Sequence, residues 1–149
     1  MRKEMPNKLQ LISHVALNCL DIDATTTFYQ KHLGFSIARV LTLPEDAKIV
    51  FLKMQDCAFY LELFKAEGER PTAPAENDGY AFPGYRHMSF KVDDVDTFLA
   101  ELTDDVKITL GPLEFDAFIP GWKTAWLRDP DGRIIEISEG FTDDTSENT

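Results

Sequence analysis

One short pattern occurs twice in this chain, and it constrains the fold more than any other sequence feature. Residues 11–23 (LISHVALNCLDID) and residues 84–96 (GYRHMSFKVDDVD) each place a histidine in a segment where apolar and polar residues alternate. Such alternation is typical of a half-buried β-strand. The chain has three histidines, and two of them, His14 and His87, occupy matching places in this pattern.

A second pair of residues repeats with nearly the same spacing. Glu62 lies in the apolar segment YLELF and Glu136 in IIEIS. Glu136 follows Glu62 by 74 residues, and His87 follows His14 by 73. Offsets that agree to within one residue at two independent positions indicate that one module has been duplicated.

Each half predicts the same order of elements, strand, helix, strand, strand, strand. Asp21 or Asp23 is suited to begin the first helix and Gly34 to end it. Pro130 and Gly132 in DPDG favour a hairpin turn over a calcium loop, since the rest of an EF-hand pattern is missing. The predicted segments are 11–23, 21–35, 35–43, 48–54 and 57–64 in the first half, and 85–92, 93–104, 106–115, 122–129 and 133–140 in the second.

We therefore predict an α+β fold in a single domain over residues 9–139. Modules 9–64 and 84–139 would be joined by loop 65–83, which is rich in proline and glycine. The polar ends of the chain, residues 1–8 and 140–149, are expected to be flexible.

Alternation also predicts which side chains share a face of each strand. His14, Glu62, His87 and Glu136 each fall opposite an apolar face suited to packing on a helix. A glutamate in such an apolar strand needs a partner for its charge, and a cation held by carboxylates and imidazoles would supply one. A single strand histidine or glutamate more often faces solvent, but the repeat favours a divalent Zn, Ni, Co, Mn or Fe ion.

Composition excludes several other classes of function. The net charge of −11 disfavours binding to nucleic acid or to an anionic membrane. No apolar run is long enough to span a bilayer, and the N-terminus lacks the apolar segment of a secretory signal. Cys19 and Cys57 form no CxxC motif, and we interpret them as reduced thiols of a cytoplasmic protein.

Several segments together resemble the vicinal oxygen chelate superfamily, which includes glyoxalase I, methylmalonyl-CoA epimerase, extradiol dioxygenases, and fosfomycin and bleomycin resistance proteins. These segments are SHVALNCLDIDATTTFYQKHLGF, FYLEL, RHMSFKVDDVD and WLRDPDGRIIEI, and the similarity covers residues 9–139. The resemblance implies tandem βαβββ modules that form a curled eight-stranded mixed sheet around a metal site. It also implies a homodimer and a small-molecule substrate.

The ligands implied by the resemblance are His14, Glu62, His87 and Glu136, from the first and fourth strand of each module. This His, Glu, His, Glu set is most similar to that of glyoxalase I, a lactoylglutathione lyase. It implies metal-assisted proton transfer next to a carbonyl, with an enediolate stabilised by the ion and Glu62 or Glu136 as the base.

Two positions depart from bacterial glyoxalase I and make the use of glutathione doubtful. Asn18 stands four residues after the first ligand, where those enzymes have arginine, and Ala66 stands four after the second, where they have asparagine. The long loop at 65–85, with Arg70 and Arg86, and segment 118–123 are suited to form a different substrate wall. Trp122 and Trp126 are equally suited to line this wall or to serve structural packing.

Two alternatives from other functional classes remain open. One is an Fe(II) dioxygenase in which His14, His87 and Glu136 form a facial triad and Glu62 is not a ligand. The other is a small-molecule binding or resistance protein without catalytic activity.

Overall fold

The computed structural model describes residues 8–144, which divide into two compact units between Gly68 and Glu69. Each unit contains one of the two predicted modules. No helix within the described residues has both the length and the apolar character needed to cross a membrane. Cys19 is buried and Cys57 is exposed, and both are free cysteines.

The first unit is a four-stranded sheet with one helix. Strand β1 pairs in parallel with β4, and the remaining neighbours are antiparallel, in the order β1-β4-β3-β2. Its elements are β1 (His14–Cys19), α1 (Ile22–Leu33), β2 (Ser36–Thr42), a short 3-10 turn (Pro44–Asp46), β3 (Lys48–Lys53) and β4 (Tyr60–Lys65).

The second unit repeats this arrangement. Strand β5 pairs in parallel with β8, and the order is β5-β8-β7-β6. Its elements are β5 (Met88–Lys91), α2 (Val95–Ala100), β6 (Ile108–Glu114), β7 (Lys123–Arg128) and β8 (Ile134–Glu139). The α+β class and the tandem βαβββ modules are therefore confirmed, with the eight described strands distributed between two four-stranded sheets.

One face of each sheet forms the core of its unit. In the first unit α1 contacts β3 and β4, and in the second α2 contacts β7 and β8. Burying these apolar side chains removes them from water and stabilises each module. The buried residues are Leu17, Cys19, Ile22, Tyr29, Phe35, Val50, Leu52, Leu61 and Leu63 in the first unit, and Phe90, Val95, Ala125, Leu127, Ile135 and Ile137 in the second. Trp126 and Ile134 are also buried, on the opposite face of the second sheet.

Several predicted boundaries differ from the structure. Strand β1, predicted within 11–23, spans only His14–Cys19. Strand β4 begins at Tyr60 instead of residue 57, because residues 54–59 form a turn closed by the Met54 N–H donating to the Phe59 carbonyl. Strand β5 begins at Met88, so His87 lies just before the strand. Helix α2 ends at Ala100, four residues earlier than predicted, where the chain turns through Glu101.

The predicted loop belongs mostly to the second unit. The Arg128 guanidinium donates hydrogen bonds to the Ala75 carbonyl at 2.7 and 3.2 Å, and the Thr109 hydroxyl donates to the Asn77 carbonyl at 2.5 Å. These bonds attach the loop to β6 and β7. The predicted flexible ends lie partly outside the described residues, and the domain limits of 9–139 stay a prediction.

The structure also decides which aspartate caps α1. The Asp21 carboxylate accepts hydrogen bonds from the backbone N–H groups of Asp23 and Ala24 at 2.9 and 3.0 Å. We expect Asp21→Ala to lower the free energy of unfolding by about 1 kcal/mol, measured by urea denaturation.

Asp23→Ala is the matched control for this prediction. Asp23 makes an ion pair with Lys48 at 2.6 Å, and its side chain is largely exposed. Its loss should cost about 0.5 kcal/mol or less. An equal loss in both variants would contradict the capping role of Asp21.

Candidate functional site

The first candidate pair lies where β1 and β4 run in parallel. In their register His14 is opposite Tyr60 and Ala16 is opposite Glu62. His14 and Glu62 are thus diagonal neighbours on the face that points away from the core. Their side chains approach to 3.8 Å between Nε2 and Oε1, with His14 44% and Glu62 18% exposed.

The second pair repeats this relationship in the other unit. Met88 is opposite Ile135 and Ser89 is opposite Glu136, so His87 and Glu136 are again diagonal neighbours. Their closest atoms, Nε2 and Oε2, are 3.4 Å apart, and both side chains are less exposed than His14, at 18% and 13%. The structure therefore brings the two predicted ligands of each module close to one another.

An aromatic ring accompanies each pair, a feature that the sequence interpretation missed in the first module. Phe51 is the cross-strand partner of Glu62, and its ring meets that of His14 edge to face at 6.3 Å. Trp126 is the partner of Glu136 and meets His87 in the same way at 6.1 Å. Trp126 follows Phe51 by 75 residues, close to the offsets of 73 and 74 for the histidines and glutamates. This spacing could have identified the two aromatic residues as equivalent from the sequence alone.

A backbone carbonyl from the loop orients His87. The His87 Nδ1 atom lies 2.6 Å from the Asp78 carbonyl oxygen. A carbonyl can only accept, so Nδ1 carries the proton and, in the neutral ring, Nε2 presents its lone pair toward Glu136. A hydrogen bond of this kind fixes the tautomer of histidines that bind metals.

The loop conformation that presents Asp78 is itself held in place. The Asp78 carboxylate pairs with Arg86 at 2.6 Å, and the next residue, Gly79, has a φ of +83°. A Cβ atom at residue 79 would lie 2.0 Å from the Arg86 carbonyl oxygen, so this close approach requires glycine. In the first unit His14 has a different neighbour, because its Nδ1 lies 3.2 Å from the Ser13 hydroxyl.

The His87–Glu136 pair has the spacing of two ligands that share a cation, and the His14–Glu62 pair is about 0.3 Å longer than that range. At 3.8 and 3.4 Å the facing atoms exceed normal hydrogen-bond length. Two ligands bound to one ion at about 2.1 Å each come within about 3.0 to 3.5 Å of one another in octahedral or tetrahedral geometry. Over residues 8–144, no third histidine, cysteine, aspartate or glutamate joins either pair to form a cluster. Each module therefore presents one pair of a histidine and a glutamate.

Two of the residues predicted to line a substrate wall make polar contacts within the second unit, and their predicted role stays a prediction. Trp122 donates from Nε1 to the Ser138 hydroxyl at 3.0 Å, and Arg86 is engaged by Asp78. Tyr85, two residues before His87, donates to the Ile134 carbonyl at 3.3 Å. Partial burial, assisted by the charge of Asp129, raises the pKa of Tyr85 to about 12. Its hydroxyl therefore stays protonated at neutral pH and is a poor base.

Comparisons with known proteins identify the family and support the fold. The sequence profile of the family described as the Glyoxalase/Bleomycin resistance protein/Dioxygenase superfamily matches residues 11–137. A virulence protein of Salmonella typhimurium is 28% identical over 134 residues, which cover 86% of this chain and 83% of that protein.

Solved structures show the same similarity. The glyoxalase family protein from Enterococcus faecalis is 32% identical, with a TM-score of 0.65 over 87% of this chain and 98% of its own. The glyoxalase family protein from Bacillus cereus is 16% identical, with a TM-score of 0.71 over 94% of this chain and 100% of its own, which supports the fold alone.

The loop support of His87 can be tested without any ligand. We expect ¹⁵N NMR of the wild type at a pH where the ring is neutral to show His87 protonated at Nδ1. Gly79→Ala should reduce the population of this tautomer, because the added Cβ displaces the loop from Arg86.

Gly68→Ala is the matched control, since a Cβ at that position meets no atom within 4 Å. It should leave the His87 signals unchanged. An unaltered tautomer in Gly79→Ala would show that Asp78 does not set the orientation of His87.

Proposed function

We propose that this chain, which belongs to the Glyoxalase/Bleomycin resistance protein/Dioxygenase superfamily, is a metal-dependent lyase or isomerase. Its reaction would be proton transfer next to a carbonyl of a small oxygenated substrate. The observation that carries this proposal is the pair of a histidine and a glutamate that occurs in both modules, with facing atoms 3.8 and 3.4 Å apart.

The proposed ligands are two residues from each module, His14 and Glu62 with His87 and Glu136. When bound, a divalent Ni, Zn, Co, Mn or Fe ion would act as a Lewis acid that polarises the substrate carbonyl. The two carboxylates offset the charge of such an ion. The imidazoles supply neutral nitrogen donors, and the Asp78 carbonyl orients the imidazole of His87.

We assign proton transfer to a carboxylate oxygen of Glu62. The pair it forms with His14 is longer and more exposed than the pair formed by His87 and Glu136. A carboxylate held less closely can move toward a substrate proton, whereas Glu136 faces an oriented imidazole and is suited to remain in place. Glu136 stays the alternative base.

The thiol adduct of glutathione is not favoured as the substrate. Asn18 and Ala66 stand where bacterial glyoxalase I has arginine and asparagine, so the groups expected to recognise glutathione are replaced. A homodimer and a cytoplasmic location remain predictions, the first testable by analytical ultracentrifugation.

Metal content is the first test of this function. We expect about one equivalent of a transition metal per chain in the purified protein by elemental analysis, or after reconstitution with Ni, Zn, Co, Mn or Fe(II). His14→Ala and His87→Ala should each lose most of it, because each removes a nitrogen donor.

His32→Ala is the matched control, since it removes the remaining histidine, which lies in α1. Metal retained in both ligand variants would contradict the site. No metal in the reconstituted wild type would instead favour a binding protein, and oxygen uptake by the anaerobically prepared Fe(II) form would favour a dioxygenase.

The two glutamates can be separated by replacing each with glutamine. We expect Glu62→Gln to retain the fold and to lower turnover per bound ion by about 100-fold or more, as loss of a general base does. Turnover can be followed on adducts of methylglyoxal with several thiols. Glu136→Gln should mainly lower the metal content, and the reverse result would assign the base to Glu136.

A further inference from the structure

A cavity of about 420 Å³ lies in the first unit beside His14. Its volume is within the range of about 300 to 1,000 Å³ typical of small-molecule sites. Apolar, aromatic and polar groups line it, and one of them carries a permanent positive charge. The lining residues are Ser13, His14, Ala38, Arg39, Phe51 and Tyr60.

A β-bulge places Arg39 on this side of the sheet. Ile37 pairs with Leu52 and Arg39 with Phe51, so Ala38 is an extra residue in β2. Regular pairing would place Arg39 opposite Val50, which is buried in the core. With the bulge, Arg39 shares a cross-strand row with Phe51 and Glu62.

The second module has the same bulge without the charge. Ile108 pairs with Leu127 and Leu110 with Trp126, which leaves Thr109 as the extra residue. Leu110 is therefore the counterpart of Arg39. Since the module folds with leucine there, the positive charge in the first module is not a requirement of the fold.

Arg39 has no acidic partner within residues 8–144. By contrast, Lys48, Arg86, Lys123 and Arg133 all form ion pairs with aspartates. In a chain with a net charge of −11, a cation without such a partner in a cavity is suited to bind an anionic group.

We propose that Arg39 binds a carboxylate of the substrate while the carbonyl to be deprotonated lies toward His14 and Glu62. This inference rests on the proposed function for the reacting end and deepens it by naming a substrate class. The substrate is an oxo-carboxylate with apolar carbons between its carboxylate and its carbonyl.

Geometry and charge favour this class over other anions. A planar guanidinium matches the two oxygens of a carboxylate. Arg39 is the one cation among the cavity-lining residues, and Glu62 shares its row, so a dianionic phosphate would be less favoured than a monoanion. Arg39 and Glu62 are two strands apart, about 10 Å between backbones, and Phe51 lies between them to contact apolar carbons.

The test compares two oxo acids with their uncharged esters. The probes are 4-oxopentanoate and 4-oxo-4-phenylbutanoate, each beside its methyl ester, titrated by calorimetry and by NMR of the Arg39 guanidinium. We expect wild-type protein to bind at least one acid about tenfold or more tightly than its ester, as a charged hydrogen bond implies. Arg39→Met should lose this preference, and Arg39→Lys should keep part of it.

Lys31→Met is the matched control, because it also removes one positive charge, from the exposed last turn of α1. It should leave the preference unchanged. No preference for either acid in the wild type, or an equal preference in Arg39→Met, would overturn the proposal.

Titrating metal-free and metal-loaded protein distinguishes this inference from the proposed function. A preference that depends on Arg39, in a protein that holds no metal after reconstitution, would support the carboxylate site and contradict the metal enzyme. Metal-dependent turnover with no dependence on Arg39 for any substrate would support the metal enzyme and contradict the carboxylate site.

Discussion

The parallel pairing of the first and fourth strands is the contact on which each module depends. It joins β1 to β4 and β5 to β8, and in each case a helix and a hairpin lie between the paired strands in the chain. Its register sets a histidine diagonally beside a glutamate. A slip of one residue would turn the glutamate toward the core and an apolar side chain toward the site, so the packing of the core also fixes the site.

Much of this could be predicted from the sequence, because alternation determines which side chains share a face. The faces of His14 and Glu62 follow from alternation alone, and buried Leu17, Leu61 and Leu63 confirm the opposite face. The place of Arg39 could not be predicted in this way, since one extra residue in β2 reverses the alternation. The bond from His87 to Asp78 depends on a loop conformation that no periodicity encodes.

The two pairs of a histidine and a glutamate differ in how firmly their histidines are held. His87 is mostly buried and bonded to a loop carbonyl, and that loop is attached to β6 and β7. The His14 ring is more exposed than that of His87, and it lines the cavity. A rigid pair is suited to holding a ligand in a constant position, whereas a looser pair beside open space is suited to a group that must move during a reaction.

Duplication explains why these differences are informative. Both modules keep the diagonal pair, the aromatic ring next to the glutamate and the bulge in the strand beyond it. These shared features are what the fold needs to form the sheet and present the pair. Where the modules differ, as Arg39 differs from Leu110, the fold has accepted either residue. Such positions are free to change with the ligand, so substrate recognition is best sought at them and not in the shared frame.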